Sequence, residues 1–282
     1  MAAHSTRLGQ DWGRRPWPMP EGMLDLSGVD CSLPALEAMF RGMPPEKLFV
    51  RVPGVGPHCG PPQRIRMQEV PDLHQRLHDG RPLHLLAIDL QSFDSAHATA
   101  LQRFAARVAA EIPEAGRCVS PLKMALFLST PGAVAPFHAD CEHNFLFQVV
   151  GDKHIHFWSR DDHALLSPLA RERLACEEEH VLDTYRPEIE SQATVFHLTP
   201  GVGVYHPPMA PHWVDTGRAG WSLSYAVSFE TPSVQRLRLV HKVNRQLRRL
   251  GVQPGPVGHN SLADGLKHLA GRGLQQLRRL GR

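Results

Sequence analysis

The sequence predicts a mainly β protein, an antiparallel sandwich or barrel with flanking helices and a helical appendage at its C-terminal end. Three observations carry that reading. From residue 122 onward, short β-type segments (MALFLST, NFLFQVV, KHIHFW, TVFHL, GVYHP, SLSYAVSFE) alternate with turns. Twenty-five prolines and 23 glycines, without low-complexity runs or a fixed-period repeat, imply many loops joining short elements. The stretch 232–282 then changes character to two Leu/Arg-rich helical patterns.

Residues 1–46 are Pro/Gly-rich and weakly patterned, but SLPALEAMFRG (32–42) spaces Leu36, Met39 and Phe40 as one short helix. KLFVRV (47–52) and HLLAIDL (84–90) read as strands. SAHATALQRFAARVAAEI (95–112) is the best helix of the body: Leu101, Phe104, Ala105, Val108, Ala109 and Ile112 make one apolar stripe, and Asp94 stands at the N-cap position. Within the β region, the polar segment 159–192 reads as an insertion across the barrel mouth. The tail reads as helices over 234–251 and 261–281, the first striped by Leu237, Val240, Val243, Leu247 and Leu250, the second by Leu262, Leu266, Leu269 and Leu277.

The 282 residues suffice for one large core, and 42% hydrophobic residues fit a globular chain rather than a disordered one. Charge divides the chain in two. Residues 232–282 hold 11 Lys/Arg against Asp264 alone, so the body, with the other 20 basic and 27 acidic residues, is about −7 and the tail about +10. The expected organisation is a body over 1–231 and a basic amphipathic appendage over 232–282. The N-terminal stretch has no apolar signal core and no run approaches the roughly 18 apolar residues that span a bilayer, so the expected location is the cytoplasm. Five scattered cysteines without a CxxC pair suggest neither a disulfide framework nor a zinc ribbon.

The chemistry concentrates in PFHADCEHNFLFQVVGDKHIHFW (136–158). A two-residue Gly151-Asp152 turn would make Val150 and Lys153 cross-strand neighbours of a hairpin. Alternation then puts Asn144, Leu146, Gln148 and Val150 on one face with Lys153, Ile155 and Phe157, and His154, His156 and Trp158 on the other. His138 and Asp140 share a face, so the polar residues sort into an inner set (His138, Asp140, Asn144, Lys153) and an outer one (His154, His156). An HxD pair on a strand supplies two facial ligands of an octahedral metal, and His212, in YHPPMAPHWVDTG, offers the third. Two His and one Asp are the facial triad of non-haem Fe(II) enzymes, with three positions left for co-substrate and oxygen. An inner lysine suits the distal carboxylate of a dicarboxylate co-substrate. His143, His154, His156, His197 and His206 are read as supporting or surface histidines, Cys141 as a packed thiol, and Glu177 to Glu179 as a solvated acidic face.

PFHAD, Asn144, the GDK turn with Lys153 and PPMAPHW together resemble the JmjC-type, cupin-8-like Fe(II)/2-oxoglutarate oxygenases. The resemblance is fullest over 120–230; it covers 30–120 by the order of elements and the tail by helical character. It implies a double-stranded β-helix (jelly roll, cupin-like), with His138, Asp140 and His212 binding Fe(II), Lys153 holding the distal carboxylate of 2-oxoglutarate, and Asn144 lining the pocket. Ser228 stands where relatives often carry an Asn near the metal. One departure is Ala135, where many relatives place a threonine that helps hold the co-substrate; Ser129, Thr130 and Tyr225 are the hydroxyls that could replace it.

The implied activity is a dioxygenase that consumes O2 and hydroxylates an unactivated C–H bond, on a protein or peptide side chain first, with a small-molecule substrate as the alternative. Hydroxylation of an N-methyl group would make the same chemistry a demethylation. A cupin that binds metal and a ligand or partner without catalysis is the reading from another class. Related hydroxylases dimerise through C-terminal helices, and the leucine stripes favour a homodimer; the tail has no aromatic stacking residues, so nucleic acid is not favoured.

Overall fold

The computed structural model describes residues 11–280 apart from 53–55, 59–62, 71, 80 and 179. Among the described residues the strands in chain order are β1 (Trp17–Met19), β2 (Leu48–Val52), β3 (Gln63–Ile65), β4 (His84–Ile88), β5 (Lys123–Ser129), β6 (Val134–His138), β7 (His143–Val150), β8 (Lys153–Phe157), β9 (Thr194–Leu198), β10 (Gly203–His206), β11 (His212–Thr216) and β12 (Ser222–Phe229). The α-helices are α1 (Leu33–Gly42), α2 (Leu73–His78), α3 (Ser95–Glu111), α4 (Pro168–Ala175), α5 (Pro232–Arg249) and α6 (Ser261–Leu280).

All strand pairs are antiparallel and fall into two sheets, one ordered β1-β10-β7-β12-β5-β4-β2-β3 and one ordered β6-β11-β8-β9. This is the jelly-roll, cupin-like double-stranded β-helix that the resemblance implied, with helices on its flank. β12 lies in the middle of the large sheet and is buried along most of its length (SLSYAVSF), as a strand covered on both faces should be. One face looks into the barrel. The other carries Phe145 and Phe147, which meet Phe104 of α3 edge-on at 5.1 and 5.6 Å. Leu101, Phe104 and Val108 of α3 are buried there, each such side chain contributing about 2 kcal/mol by leaving water. Asp94 caps this helix by accepting from the His97 backbone N–H at 3.1 Å.

The expected β7–β8 hairpin does not form. β7 pairs with β10 and β12, β8 with β11 and β9, so Gly151-Asp152 is a corner where the chain passes from one sheet to the facing one. Gly151 has φ +68°, and a Cβ there would sit 2.5 Å from the Trp221 carbonyl oxygen; both the turn and the close approach require glycine. The face assignment is reached by another route: Asn144 and Leu146 from one sheet, and Lys153 and Ile155 from the other, line a common cavity.

The segment 159–192 forms α4 and its own apolar cluster, in which Leu165, Leu166, Leu174 and Tyr185 pack with Phe137, Trp158 and Met209. It also runs along β6, bonding Ala139 and Phe137 through His180 and Leu182. The tail is two helices as expected. Its arginines meet acids of the body: Arg248 bonds Glu172 at 2.8 and 2.9 Å, Arg245 and Arg249 bond Glu178, and Arg238 bonds Glu177 and Glu230. Glu178 and Glu177 are thus fastened to α5 rather than a free solvated face; Glu179 lies outside the described residues. The four described cysteines are free, and Cys59 also lies outside the described residues. Among the described residues no helix is long and apolar enough to cross a membrane.

Candidate metal centre

His138 closes β6 and His212 opens β11, and the two are register partners across that strand pair, which brings residues 74 apart in sequence face to face with ring centroids 4.1 Å apart. Asp140 follows two residues beyond His138. Ligand atoms of His138, Asp140 and His212 all lie within 4.8 Å of one another, and His212 Nε2 is 3.8 Å from an Asp140 carboxylate oxygen. The corner that delivers His212 is held to the strand end that delivers Asp140: Met209, in the left-handed region at φ +64°, donates its backbone N–H to the Asp140 carbonyl at 2.6 Å. A non-glycine residue in that region costs about 1 kcal/mol and persists where its surroundings enforce it.

Both imidazoles are oriented by their other nitrogen. His138 Nδ1–H donates to the Pro136 carbonyl at 2.6 Å and His212 Nδ1–H to the Ala210 carbonyl at 3.0 Å, which leaves each Nε2 as the unprotonated, ligating atom. Burial pushes His212 well below the usual histidine range, with the neighbouring His138 and His206 imidazoles pushing the same way. Burial opposes ionisation of Asp140, but the surrounding histidines, His138 first, outweigh it and hold the carboxyl down at about 2. Two Nε2 atoms left free by their Nδ1–H bonds and an ionised carboxylate are the donors that a divalent ion takes. Asn144 donates to Asp140 at 3.3 Å, while its own Oδ1 is buried without a partner beside the same cluster. The donor set, its protonation and that orphaned oxygen fit a bound metal with further ligands.

The cluster opens on an interior cavity of about 80 Å³. Lys153 lines it, nearly inaccessible to solvent, and among the described residues no carboxylate pairs with it; burial alone pushes its ammonium down to about 7. Phe127, Leu146, Ile155, Val214 and Ala226 give the cavity apolar walls.

Ser228 pairs in register with Asn144 but does not line the cavity. Thr130 does not reach it either. Its hydroxyl accepts from the Leu83 N–H at 2.9 Å and donates to the Leu83 carbonyl at 3.2 Å, so this buried group is fully engaged in fastening β5 to the start of β4. Tyr225 points to the other face of its sheet, where it meets His97 and Cys31. Ser129 acts at one remove, bonding Nδ1 of His84, whose ring does line the cavity.

Sequence reasoning missed His84 and Thr216, which line the cavity together with His206, read there as a supporting or surface histidine. Thr216 is the register partner of Lys153. Burial pushes His206 down to about 4 and His84 to about 3. Continuing the alternation from His212 through Val214 finds Thr216; nothing local marks His84 or His206. The outer histidines separate as expected: His156 stacks on Trp213 at 4.0 Å and bonds Glu190 and Asp215, outside the barrel. His143 is buried, bonding Tyr205 and Thr231.

Fold and site together define a double-stranded β-helix with a His-Asp-His cluster facing a lysine-bearing cavity. The cupin-like domain family matches residues 65–257, and the chain belongs to that family. Solved structures of low sequence identity share the fold. The X-ray structure of Escherichia coli YcfD is 18% identical, with 96% of this chain and 66% of that chain covered at a TM-score of 0.53. YcfD, described as a ribosomal oxygenase, in complex with cobalt and 2-oxoglutarate is 16% identical, with 94% and 64% covered at a TM-score of 0.51. The chain therefore spans just under two thirds of the length of these structures. No curated protein matches it.

Proposed function

We propose that this chain is an Fe(II)- and 2-oxoglutarate-dependent dioxygenase that hydroxylates an unactivated C–H bond of a protein or peptide side chain. The observation that carries the reading is Lys153: a buried ammonium without a carboxylate partner among the described residues, facing His138, Asp140 and His212 across one cavity. An unpaired buried cation is unfavourable unless an anion arrives to satisfy it. A dicarboxylate whose 2-oxo acid end meets the metal and whose far carboxylate meets Lys153 is such an anion.

In this reading His138, Asp140 and His212 hold Fe(II), whose chemistry with 2-oxoglutarate and O2 is oxidative decarboxylation to succinate and CO2 coupled to hydroxylation. The chain's own groups bind and orient. Lys153 fixes the distal carboxylate, with Thr216 beside it supplying the hydroxyl that Ala135 lacks. Asn144 steadies the Asp140 carboxylate. The apolar walls take the methylenes of the co-substrate and exclude water. The fold likeness to a ribosomal oxygenase supports a protein substrate, and homodimerisation through α5 and α6 belongs to the same proposal.

The test is anaerobic titration of the metal-free protein with Fe(II) and then 2-oxoglutarate, following the weak visible charge-transfer band of a chelated 2-oxo acid. The band should form, and be absent in His212→Ala. Iron binding without the band would reject 2-oxoglutarate and leave the non-catalytic cupin as the better reading.

A further inference from the structure

The outer face of the four-stranded sheet carries a second group of ligand-type side chains. Donor atoms of Asp152, His154 and His197 lie within 4.8 Å of one another. His154 on β8 and His197 on β9 are cross-strand partners, so they leave the sheet on the same side, and their rings stack with centroids 4.5 Å apart and planes 10° apart. His197 Nε2 is 3.3 Å from an Asp152 carboxylate oxygen, and His154 Nδ1 is 3.3 Å from Asp215 Oδ1.

We propose that Asp152, His154 and His197 form a second metal site, for a borderline divalent ion of the Zn²⁺ class. Imidazole nitrogens with one carboxylate suit Zn²⁺, Ni²⁺ or Co²⁺, whereas Mg²⁺ and Ca²⁺ take oxygen ligands. A tetrahedral ion with bonds of about 2.0–2.1 Å separates its ligand atoms by about 3.3–3.4 Å, the spacing already present between His197 and Asp152. Binding tilts the two rings out of their parallel stack so that their nitrogens converge with the Asp152 carboxylate, a movement open to side chains as exposed as His154 and His197. Asp215, bonded to His154 Nδ1, orients that ring as the outer carboxylate of a carboxylate–histidine–metal arrangement does.

A second, independent feature is the room made for the Asp152 carboxylate. A Cβ on Gly217 would stand 2.1 Å from Asp152 Oδ1, and the Gly217 N–H bonds the Asp152 carbonyl at 2.9 Å. A side chain at 217 would push the carboxylate away from its place beside His197. Asp152, His154 and Asp215 also line a surface groove of about 620 Å³, so an ion can enter from solvent without passing the interior cavity.

The consequence is structural. β9 is the edge strand of its sheet, and Asp152 lies in the corner immediately before Lys153. An ion shared by these three side chains staples the edge strand to β8 and to the corner from which Lys153 enters the cavity.

The test uses the full chain carrying Asp140→Ala, which silences the interior cluster, stripped with a chelator and titrated with Zn²⁺ by calorimetry. One equivalent should remain and raise Tm. It should weaken at least tenfold when His197→Ala or His154→Ala is added, and persist when the distant His259→Ala is added. Co²⁺ should give the d–d absorption of a low-coordinate nitrogen/oxygen site, and Mg²⁺ should not compete. No retained equivalent in Asp140→Ala, equal binding in the His197→Ala and His154→Ala variants, or competition by Mg²⁺ would each overturn the proposal. Both histidine side chains are partly exposed, so unchanged circular dichroism serves as the folding control.

Discussion

Lys153→Met removes one charge while keeping a side chain of nearly the same length, and it should move stability and ligand affinity in opposite directions. The ammonium is pushed from 10.5 down to about 7 by burial alone. Each pH unit of that drop corresponds to about 1.4 kcal/mol, so keeping this cation inside the ligand-free fold costs up to about 5 kcal/mol. The unfolded chain holds the proton up to about pH 10.5 and the folded chain only up to about 7. Between those values the unfolded state binds more protons, and the stability of the wild-type protein therefore rises with pH through that window. Below pH 7 the full cost is present. At pH 6–7, metal-free Lys153→Met should melt several degrees above wild type, and the gap should close as pH approaches 10. The same variant should bind 2-oxoglutarate about 100-fold more weakly, the loss of one buried charge-assisted pairing of about 3 kcal/mol. Differential scanning fluorimetry across pH and calorimetry with 2-oxoglutarate read the two effects. A ligand-free variant less stable than wild type at pH 7, or a gap that ignores pH, would refute the picture of an unpaired buried ammonium.

The other predictions concern separate parts of the molecule. His138→Ala and Asp140→Ala should each lower 2-oxoglutarate turnover by at least about 1,000-fold with Fe(II) binding lost at the interior cluster; turnover within tenfold of wild type would remove these residues from the metal centre. Thr216→Val, isosteric but without the hydroxyl, should raise the Kd for 2-oxoglutarate about tenfold, through one hydrogen bond of about 1–1.5 kcal/mol, and leave Fe(II) affinity unchanged; an unchanged Kd assigns the threonine no contact. Gly151→Ala puts a Cβ 2.5 Å from a backbone oxygen at φ +68°, so it should destabilise by about 3 kcal/mol and weaken 2-oxoglutarate binding through displacement of Lys153. Wild-type Tm in that variant contradicts the corner argument. Leu266→Asp with Leu269→Asp, on the exposed face of α6, should convert a dimer to monomers in analytical ultracentrifugation without loss of Tm at low concentration; a monomeric wild type refutes the dimer.

The helices and strands were legible because each has a local signature. Asp94 before an apolar stripe marked α3, and alternation marked the strands that carry His138, Lys153 and His212. The hairpin was misread because a sheet corner and a hairpin turn ask for the same Gly-Asp chemistry. What separates them is the identity of the partners of β7, namely β10 and β12, whose paired residues lie 56 to 86 positions away in the chain. Thr130 was misplaced for a similar reason: its hydroxyl is captured by Leu83, 47 residues distant, and no pattern around Thr130 announces that. His84 shows the limit of alternation. Its strand HLLAIDL fixes that His84 and Leu85 face opposite sides, and Leu85 is the one packed in the helix-side core, but the strand alone does not say which side is the barrel.

The charge asymmetry between body and tail takes a different meaning once the contacts are known. A tail of about +10 beside a body of about −7 reads in sequence as an appendage distinct from the body it follows. Arg238, Arg245, Arg248 and Arg249 instead bind Glu172, Glu177, Glu178 and Glu230 of the same chain, and Glu172 is 1% exposed, so a large part of the basic face is spent internally. A buried carboxylate deprived of its arginine costs about 3–5 kcal/mol, which makes Arg248 a fastening of α5 rather than a surface charge. Among the residues α6 leaves outward is an apolar stripe: Leu262, Leu266 and Leu269 are each more than 60% exposed. An exposed stripe of that kind is satisfied by another apolar face, and the two possible partners separate by salt. Association through leucines persists in molar NaCl, whereas association of a basic helix with a polyanion weakens steeply over the same range. The intramolecular ion pairs and the outward leucines both favour the first behaviour, and with it a second copy of this chain as the partner.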